Sequence, residues 1–519
     1  MPEPILPQVK NIVFLMLENR SLDNLLGWLY KDSVPGYFYP DSPKQAQPFD
    51  GLVEKKFFNP DSSGNNFDVI PLPDAAWQSG SPVPFYDPYE ALRAYPVDPR
   101  APRNSWNGVM NQFFGNQQVI AGLPPTNGAP PKMKGFLQDY GDVHDILWTY
   151  TPAQAKVINA LARQYAVSDR WFCSVPSDTS PNRAYSICGT SLGRESNLRL
   201  LAPEPPFWYP KTTLPHTIFN WLAGANKSWG LHFHDNYYQG KSYTEWLFPQ
   251  MSPGGEIADF SRFQSLAASG GLPAFSYLEP TKWTTPGIGS WPATDGTDYH
   301  PNAHITPGEG FLQTVYSAIT NGPQWKKNET LFIVTFDEHG GTFDHVPPTS
   351  GVNPDGKNGQ ENGFKFDLFG ARVSTILISP FVRQGTVFRA PLGSKYNFDH
   401  TSFIATILKW AGIPLTVAAG QSQRVMVAPT FEGVFADHVV NSKTVTIEPH
   451  DSKLLDAARA SRAYPAAQEL SVLLEGIPVI ATRIILSKSE TLEQVQAEVT
   501  RYRQDPEKFE ALIDKPPSS

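Results

Sequence analysis

Two regimes of hydrophobic and polar positions alternate along the chain. Asn11–Leu17 is a short continuous apolar run, the mark of a strand buried on both faces. Thr330–Phe336 (TLFIVTF) and Val373–Ser379 (VSTILIS) share that character. Between such runs the spacing is helical. Gln154–Tyr165 sets Val157, Leu161 and Tyr165 on one face, and Gly310–Thr320 does so with Phe311, Val315 and Ala318. Thr401–Gly412 repeats the pattern and ends on a glycine stop. Buried strands alternating with amphipathic helices predict an α/β fold, with a mostly parallel central sheet between helices.

Residues 31–135 are rich in Pro, Gly, Asp and Asn with little periodicity. They are expected as a loop-rich insertion over the sheet's active edge, and 236–300 as a second one. These belong to a catalytic domain spanning 1–445. Residues 446–519 are expected as a mainly helical appendage. Ser489 can cap a helix carrying Leu492, Val495, Val499 and Tyr502, and Asp505-Pro506 can open another. Packing on the core is the expected role, with a lid or partner-binding role as the alternative.

Composition narrows the function classes. The 519 residues are 40% hydrophobic, enough for a large core and too apolar for a disordered chain. A net charge of −8 argues against general nucleic-acid binding, which needs a basic face. No run approaches the ~18 apolar residues of a membrane-spanning helix. The opening MPEPILPQVKNIVFLMLENR does not read as an export leader. The expectation is a cytoplasmic protein, with export lacking a recognisable leader as the alternative. Two cysteines, Cys173 and Cys188, leave open one short-loop bridge or two buried thiols.

Ligand sites in parallel sheets lie at the carboxyl ends of strands. Asn11–Leu17 runs into Glu18-Asn19, and Thr330–Phe336 runs into Asp337-Glu338-His339-Gly340-Gly341, with Asp344-His345 close behind. Carboxylates, an amide oxygen and imidazole are donors that divalent metals use. One acidic pair at a strand end can equally cap a helix or face water; two such ends favour a site. The loop VPSDTSPNR, residues 175–183, offers Ser177, Thr179 and Ser180 as hydroxyls that a metal can activate. Its Arg183 can clamp a phosphate or make an ordinary salt bridge. Histidines cluster as His232 with His234, His300 with His304, and His400 in FDHTS; His438 and His450 look peripheral. Gly189-Thr190-Ser191-Leu192-Gly193 matches the nucleophile-elbow pattern and makes Ser191 the candidate of a rival serine-esterase reading.

NIVFLMLENRSLDNLLGW, VPSDTSPNR, LFIVTFDEHGGTFDHVPP and NFDHTS, in this order, resemble the bacterial phosphoesterase family of phosphatidylcholine-type phospholipases C and an acid phosphatase, within the alkaline-phosphatase-like superfamily. The resemblance implies metal-dependent hydrolysis of phosphoric esters through a covalent phospho-threonine. It assigns Thr179 as nucleophile, with Glu18, Asn19, Thr179, Asp337 and Glu338 as metal ligands. Asn182 becomes a donor to phosphate oxygen, and His300, beside Asp298, the proton donor to the leaving group. His232 and His234 become pocket histidines. The residues themselves offer Arg183, Asp298, His339, Asp344, His345 and His400 as further pocket candidates. The cofactor implied is one or more divalent ions, with Zn, Mn, Ca and Fe all compatible. The substrate implied is a phosphate ester, including phospholipid at a membrane surface. A broad phosphomonoesterase without lipid activity is the rival within this class. A quaternary ammonium headgroup needs an aromatic cage, which Trp208, Tyr209, Trp246 and Trp283 permit. One departure is DPRAPRNSWNG, near residues 98–108, which lacks the histidine that relatives carry in an Asp-Pro-x-His.

Overall fold

The protein is described from a computed structural model covering residues 5–41, 48–53, 55–79, 106–115, 130–195, 214–234, 241–251, 254–281, 296–301, 304–359, 363–448, 450–451, 453–454 and 492–504. Nine strands form the main sheet: Asn11–Leu17 (β1), Tyr37–Tyr39 (β2), Ala166–Ser168 (β3), Trp229–Phe233 (β4), Glu256–Asp259 (β5), Phe275–Glu279 (β6), Thr330–Phe336 (β7), Thr375–Ile378 (β8) and Thr386–Phe388 (β9). Their spatial order is β2-β9-β3-β8-β7-β1-β6-β4-β5. Every pairing is parallel except the two made by β8, which runs antiparallel to β7 and to β3. The predicted mostly parallel α/β sheet is the one observed.

Helices cover both faces. On one lie Thr179–Ile187 (α3), Ile218–Gly224 (α4) and Thr401–Trp410 (α7). Phe14 of β1 packs edge-on against Phe403 of α7 and stacks on Tyr277 of β6, while Phe219 of α4 packs on Trp229, Phe275 and Tyr277. On the other face lie Lys156–Gln164 (α2), Phe260–Ser269 (α5) and Ile305–Asn321 (α6). Side chains alternate along a strand, so β1 sends Phe14 and Met16 to the first face and Val13 and Leu15 to the second. All seven residues of β1 and of β7 are buried.

Several details differ from the sequence pattern. The 236–300 stretch holds regular core elements, namely β5, α5 and β6. β5 is a mostly exposed edge strand, and β6 carries Ser276 and Glu279 among its apolar residues, so neither shows an unbroken apolar run. Within 31–135, Tyr37–Tyr39 adds an edge strand to the sheet. α6 starts five residues before the predicted Gly310, because Pro307, Gly308 and Gly310 break the apolar spacing; proline is tolerated in a first turn. The C-terminal helix spans Leu492–Gln504 and buries Val499, while Ser489 and Asp505-Pro506 lie outside the described residues. Cys173 and Cys188 are both buried free thiols. Among the described residues no helix is long and apolar enough to cross a membrane.

β1 and β7 position everything that follows. They pair in parallel from Asn11 opposite Thr330 to Leu17 opposite Phe336, so both chains leave the sheet at the same level. The two exits then run side by side. The Ser21 amide donates to Thr342 Oγ1 at 3.0 Å, and Ser21 Oγ donates to the Phe343 carbonyl at 2.6 Å. Asn19 takes a left-handed backbone (φ +62°), as does Gly340 (φ +63°). Asparagine tolerates that region and glycine occupies it freely. A Cβ on Gly340 would fall on the Asn19 carbonyl oxygen.

Gly340→Ala should therefore separate the two exits, through both left-handed strain and a backbone clash. A destabilisation of about 1–3 kcal/mol is expected from the strain alone, read as a lower urea midpoint. A midpoint equal to wild type would mean the exits do not depend on this approach.

Candidate active site at the ends of two paired strands

Glu18 and Asn19 follow β1, and Asp337 and Glu338 follow β7. All four are buried. The Asn19 amide donates to Asp337 Oδ1 at 3.2 Å, which ties the exits together, and the Glu338 amide donates to the same oxygen at 2.7 Å. Glu338 Oε2 accepts from the Gly340 amide at 2.5 Å. Arg183, fully buried on α3, is the cation between them. Its Nη2 donates to Glu18 Oε1 at 3.0 Å, and its Nε lies 3.3 Å from Asp337 Oδ2. Burial opposes its charge, but Tyr277, Asp337 and Glu279 outweigh burial and hold the guanidinium protonated. Arg183 is thus neither a surface salt bridge nor a free phosphate clamp. It is a fixed counter-charge among the acids.

Thr179 opens α3 at its N-terminus. Its Oγ1 donates to Asn19 Oδ1 at 3.4 Å. At 6% exposure Thr179 is the more accessible residue, against 0–2% for Glu18, Asn19 and Asp337. The loop that presents it is held by Asn182. The Asn182 amide nitrogen donates to the carbonyls of Val175, Ser177 and Asp178 at 2.8–3.1 Å, and its oxygen accepts from the Val175 amide at 3.0 Å. Expected as a phosphate donor, Asn182 has its amide committed to this loop. Ser177 donates to the Glu195 carbonyl, and Ser180 bonds the Tyr243 hydroxyl at 2.7 Å, so the neighbouring hydroxyls are occupied.

Asp298 and His300 join the site through Glu18. The Glu18 amide donates to the Asp298 carbonyl at 2.7 Å, and Asp298 Oδ1 accepts the His300 amide at 3.1 Å. His300 is half-buried beside the site. His400 sits beneath it, its Nε2 hydrogen-bonded to the Asp337 carbonyl at 2.6 Å, and burial depresses its pKa. His339 bonds Gln112 Oε1 through Nε2 at 2.7 Å, and burial lowers its pKa to about 3. Gln112 donates in turn to Asp139.

Other candidates belong elsewhere. β4 sends His232 and His234 to the α5 side of the sheet, the face opposite Thr179. His232 packs on Phe263 with its pKa lowered by burial to about 4, and His234 lies among Phe260, Phe311 and Thr281. Two-residue alternation put them together but could not tell which face they share. Ser191 donates its hydroxyl to the Arg194 carbonyl at 2.7 Å, and GTSLG follows the end of α3 rather than a strand. An elbow nucleophile needs the strand, so the serine-esterase reading fails. Trp208, Tyr209, Trp283 and the side chain of Trp246 lie outside the described residues, as does the 98–105 part of the loop without a histidine. Sequence reasoning missed Glu279, which ends β6 next to β1, accepts from Thr244 and faces Arg183. Its signal was the same one that marked Glu18, an acid closing an apolar strand.

Asp344 and His345 join a second buried cluster with Asp23. The three offer donor atoms within 4.8 Å of one another, the spacing of a metal site. Arg372 already fills that role, donating to Asp23 Oδ1 at 2.9 Å and to Asp344 Oδ1 at 3.0 Å. His345 bonds Asp23 Oδ2 through Nδ1 at 2.6 Å and Asp50 Oδ1 through Nε2 at 3.1 Å. With both nitrogens donating to carboxylates, the ring is an imidazolium and has no lone pair for a metal. Burial opposes that charge, but Asp23 and Asp50 push the pKa up to about 9. The cluster is an ionic lock on the same two exits.

The chain matches known proteins over most of its length. The Phosphoesterase family model matches residues 9–414. Non-specific phospholipase C6 of Arabidopsis thaliana is 30% identical over 451 residues, which is 84% of this chain and 74% of that protein. Phospholipase C A of Mycobacterium tuberculosis is 26% identical, over 79% of this chain and 74% of that one. The relatives thus extend beyond bacteria. An alkaline phosphatase superfamily protein from Vibrio parahaemolyticus aligns at 12% identity and a TM-score of 0.32, over 53% of this chain and 62% of that one.

The lock makes a pH prediction. The folded pKa of His345 is raised to about 9, above the unfolded value of about 6.5. Its stabilisation is present below the unfolded value and is lost as pH rises through the folded one. The urea midpoint of His345→Gln should therefore lie well below wild type at neutral pH, with the gap closing at high pH. A gap that does not change with pH would mean that His345 is uncharged in the fold.

Proposed function

The chain belongs to the phosphoesterase family and is a phosphoric ester hydrolase; from that premise we propose that it is a phospholipase C, cleaving phosphodiesters through a phospho-threonine on Thr179. One observation carries this reading. A threonine at a helix N-terminus joins the buried acidic cluster, its Oγ1 3.4 Å from Asn19 Oδ1.

The residues fit a divalent cation. Glu18, Asp337 and Glu338 put three carboxylates out of water, and Arg183 is the cation paired with the first two. Asp337 Oδ2 accepts no hydrogen bond among the described residues. Arg183 Nε lies 3.3 Å from that oxygen, so one guanidinium faces three buried carboxylates, an excess of negative charge that a further cation would offset. Glu18, Asn19, Thr179, Asp337 and Glu338 would hold the ion, an all-oxygen set suited to hard or borderline metals. Bound there, it supplies positive charge that favours loss of the Thr179 proton and offsets charge on the phosphoryl oxygens.

The chain's own groups do the rest. Thr179 Oγ1 attacks phosphorus, the bond from phosphorus to the leaving oxygen breaks, and His300 gives that oxygen a proton. The positive end of the α3 dipole favours the anion. Arg183 keeps the carboxylates in place, and Asn182 keeps the loop rigid while Thr179 changes bonding. Water then attacks phosphorus, and Thr179 departs with its oxygen. The diester reading draws on the relatives' names; a phosphomonoesterase would use the same groups.

Thr179→Ala should keep the wild-type melting temperature and lose roughly 10³-fold or more in kcat. Acid quenching of wild type during turnover of phosphatidylcholine should leave phosphocholine on Thr179 Oγ1, detected by mass spectrometry. Full activity in Thr179→Ala would move the nucleophile elsewhere. Asp337→Ala should lower the bound metal measured by elemental analysis. Turnover of a phosphomonoester but not of phosphatidylcholine would replace the phospholipase reading.

A further inference from the structure

Glu309 is a fully buried carboxylate of α6 that no step above uses. Its Oε1 accepts from the Tyr299 hydroxyl at 2.7 Å and the Ile158 amide at 3.1 Å. Its Oε2 accepts from the Val157 amide at 2.5 Å and meets His450 Nε2 at 3.3 Å. Glu309 thus caps α2, whose own cap residue Ala155 has no side-chain acceptor. His450, which looked peripheral in the sequence, ends the segment from Asn441 that runs along α2 and α6.

Tyr299 lies between Asp298 and His300. It has a left-handed backbone (φ +72°), unusual for a bulky residue and seldom held without strong local support. The support is visible. Its ring packs edge-on against Phe336, the last residue of β7, and over Gly308, where a Cβ would meet it. Its carbonyl accepts from Arg20 Nε at 2.7 Å. Its hydroxyl is held by Glu309, and a buried hydrogen bond to a carboxylate is strong enough to help offset such strain.

We propose that Glu309 is a positioning residue which, through the Tyr299 hydroxyl, locks the Asp298–His300 turn so that His300 meets the leaving oxygen. The proposal rests on His300 as the proton donor. The lock acts on one partial step, proton delivery, and not on Thr179 or the carboxylates. An alkoxide leaving group needs that proton, whereas p-nitrophenolate leaves without it.

The test compares alkyl and p-nitrophenyl esters of phosphocholine as substrates for the full chain. Tyr299→Phe keeps the ring and removes only the bond to Glu309, so the melting temperature should stay near wild type. kcat on the alkyl ester should fall about 10-fold with KM unchanged, while kcat on the p-nitrophenyl ester stays within about twofold. His300→Ala should show the same selectivity, larger, and adding Tyr299→Phe to it should cost nothing further on either ester. Equal losses on both esters in Tyr299→Phe, or none on either, would overturn the lock. If His300→Ala is itself unselective, the proton-donor reading fails, and the lock with it. If His300→Ala is selective and Tyr299→Phe is not, the lock alone fails.

Discussion

The in-register pairing of β1 with β7 is the constraint on which the site depends. Parallel neighbours that end together must send their next residues out side by side, and here those residues are Glu18-Asn19 and Asp337-Glu338. The sheet is buried on both faces at this point, so the acids start inside the protein. Like charges at such range in a low dielectric repel strongly. The fold holds them only because compensating groups are built around them. Arg183 reaches from α3 to Glu18 and Asp337, the Asn19 and Glu338 amides cap Asp337, and Gly340 lets the backbones touch.

Two buried acidic clusters lie on the same pair of exits, and they are balanced differently. In the outer one, Arg372 and the His345 imidazolium face Asp23, Asp344 and Asp50, with nearly every donor and acceptor matched. Such a network gains from mutual hydrogen bonding and leaves no demand for a further ion. In the inner one, Arg183 faces Glu18 and Asp337 with Glu338 adjacent, and an oxygen of Asp337 has no donor. The outer cluster sets two cations against three carboxylates and the inner one a single guanidinium against three, which fits the proposal that the inner one takes a cation. Spacing alone does not separate them, since the lock has the tighter cluster of ligand types.

How much was legible follows from the kind of signal each residue carried. β1 and β7 were legible to the residue, because a continuous apolar run of seven residues bounded by charge fits little besides a buried strand. The carboxylates at their ends were legible for the same reason. The direction of β8 was not, because an apolar run does not encode which way a strand points; predicted at Val373–Ser379, it forms Thr375–Ile378 and runs against its neighbours. The edge strands β2 and β5 were hidden by exposure, which removes the apolar pattern. His232 and His234 show a further limit: period-2 spacing unites residues on a face but does not name the face. Arg183, Arg372 and Asn182 were visible as residues, yet the bonds they make depend on how the chain folds, and only the fold assigns them.

The two halves of the proposed chemistry meet at one backbone group. Glu18 contributes its carboxylate to the acidic cluster under Thr179, and its amide donates to the Asp298 carbonyl at the start of the turn that carries His300. An in-line displacement needs nucleophile and leaving-group acid on opposite sides of phosphorus, held within a few tenths of an ångström. Loops seldom supply that rigidity unless their ends are fixed. Here the Thr179 loop is fixed internally by Asn182, and the 298–300 turn is fixed externally, by Glu18, Arg20 and Glu309. Each of those external contacts comes from β1's exit or from α6. The turn is therefore referenced to the same strand ends as the carboxylates, so the register of β1 against β7 sets both halves at once.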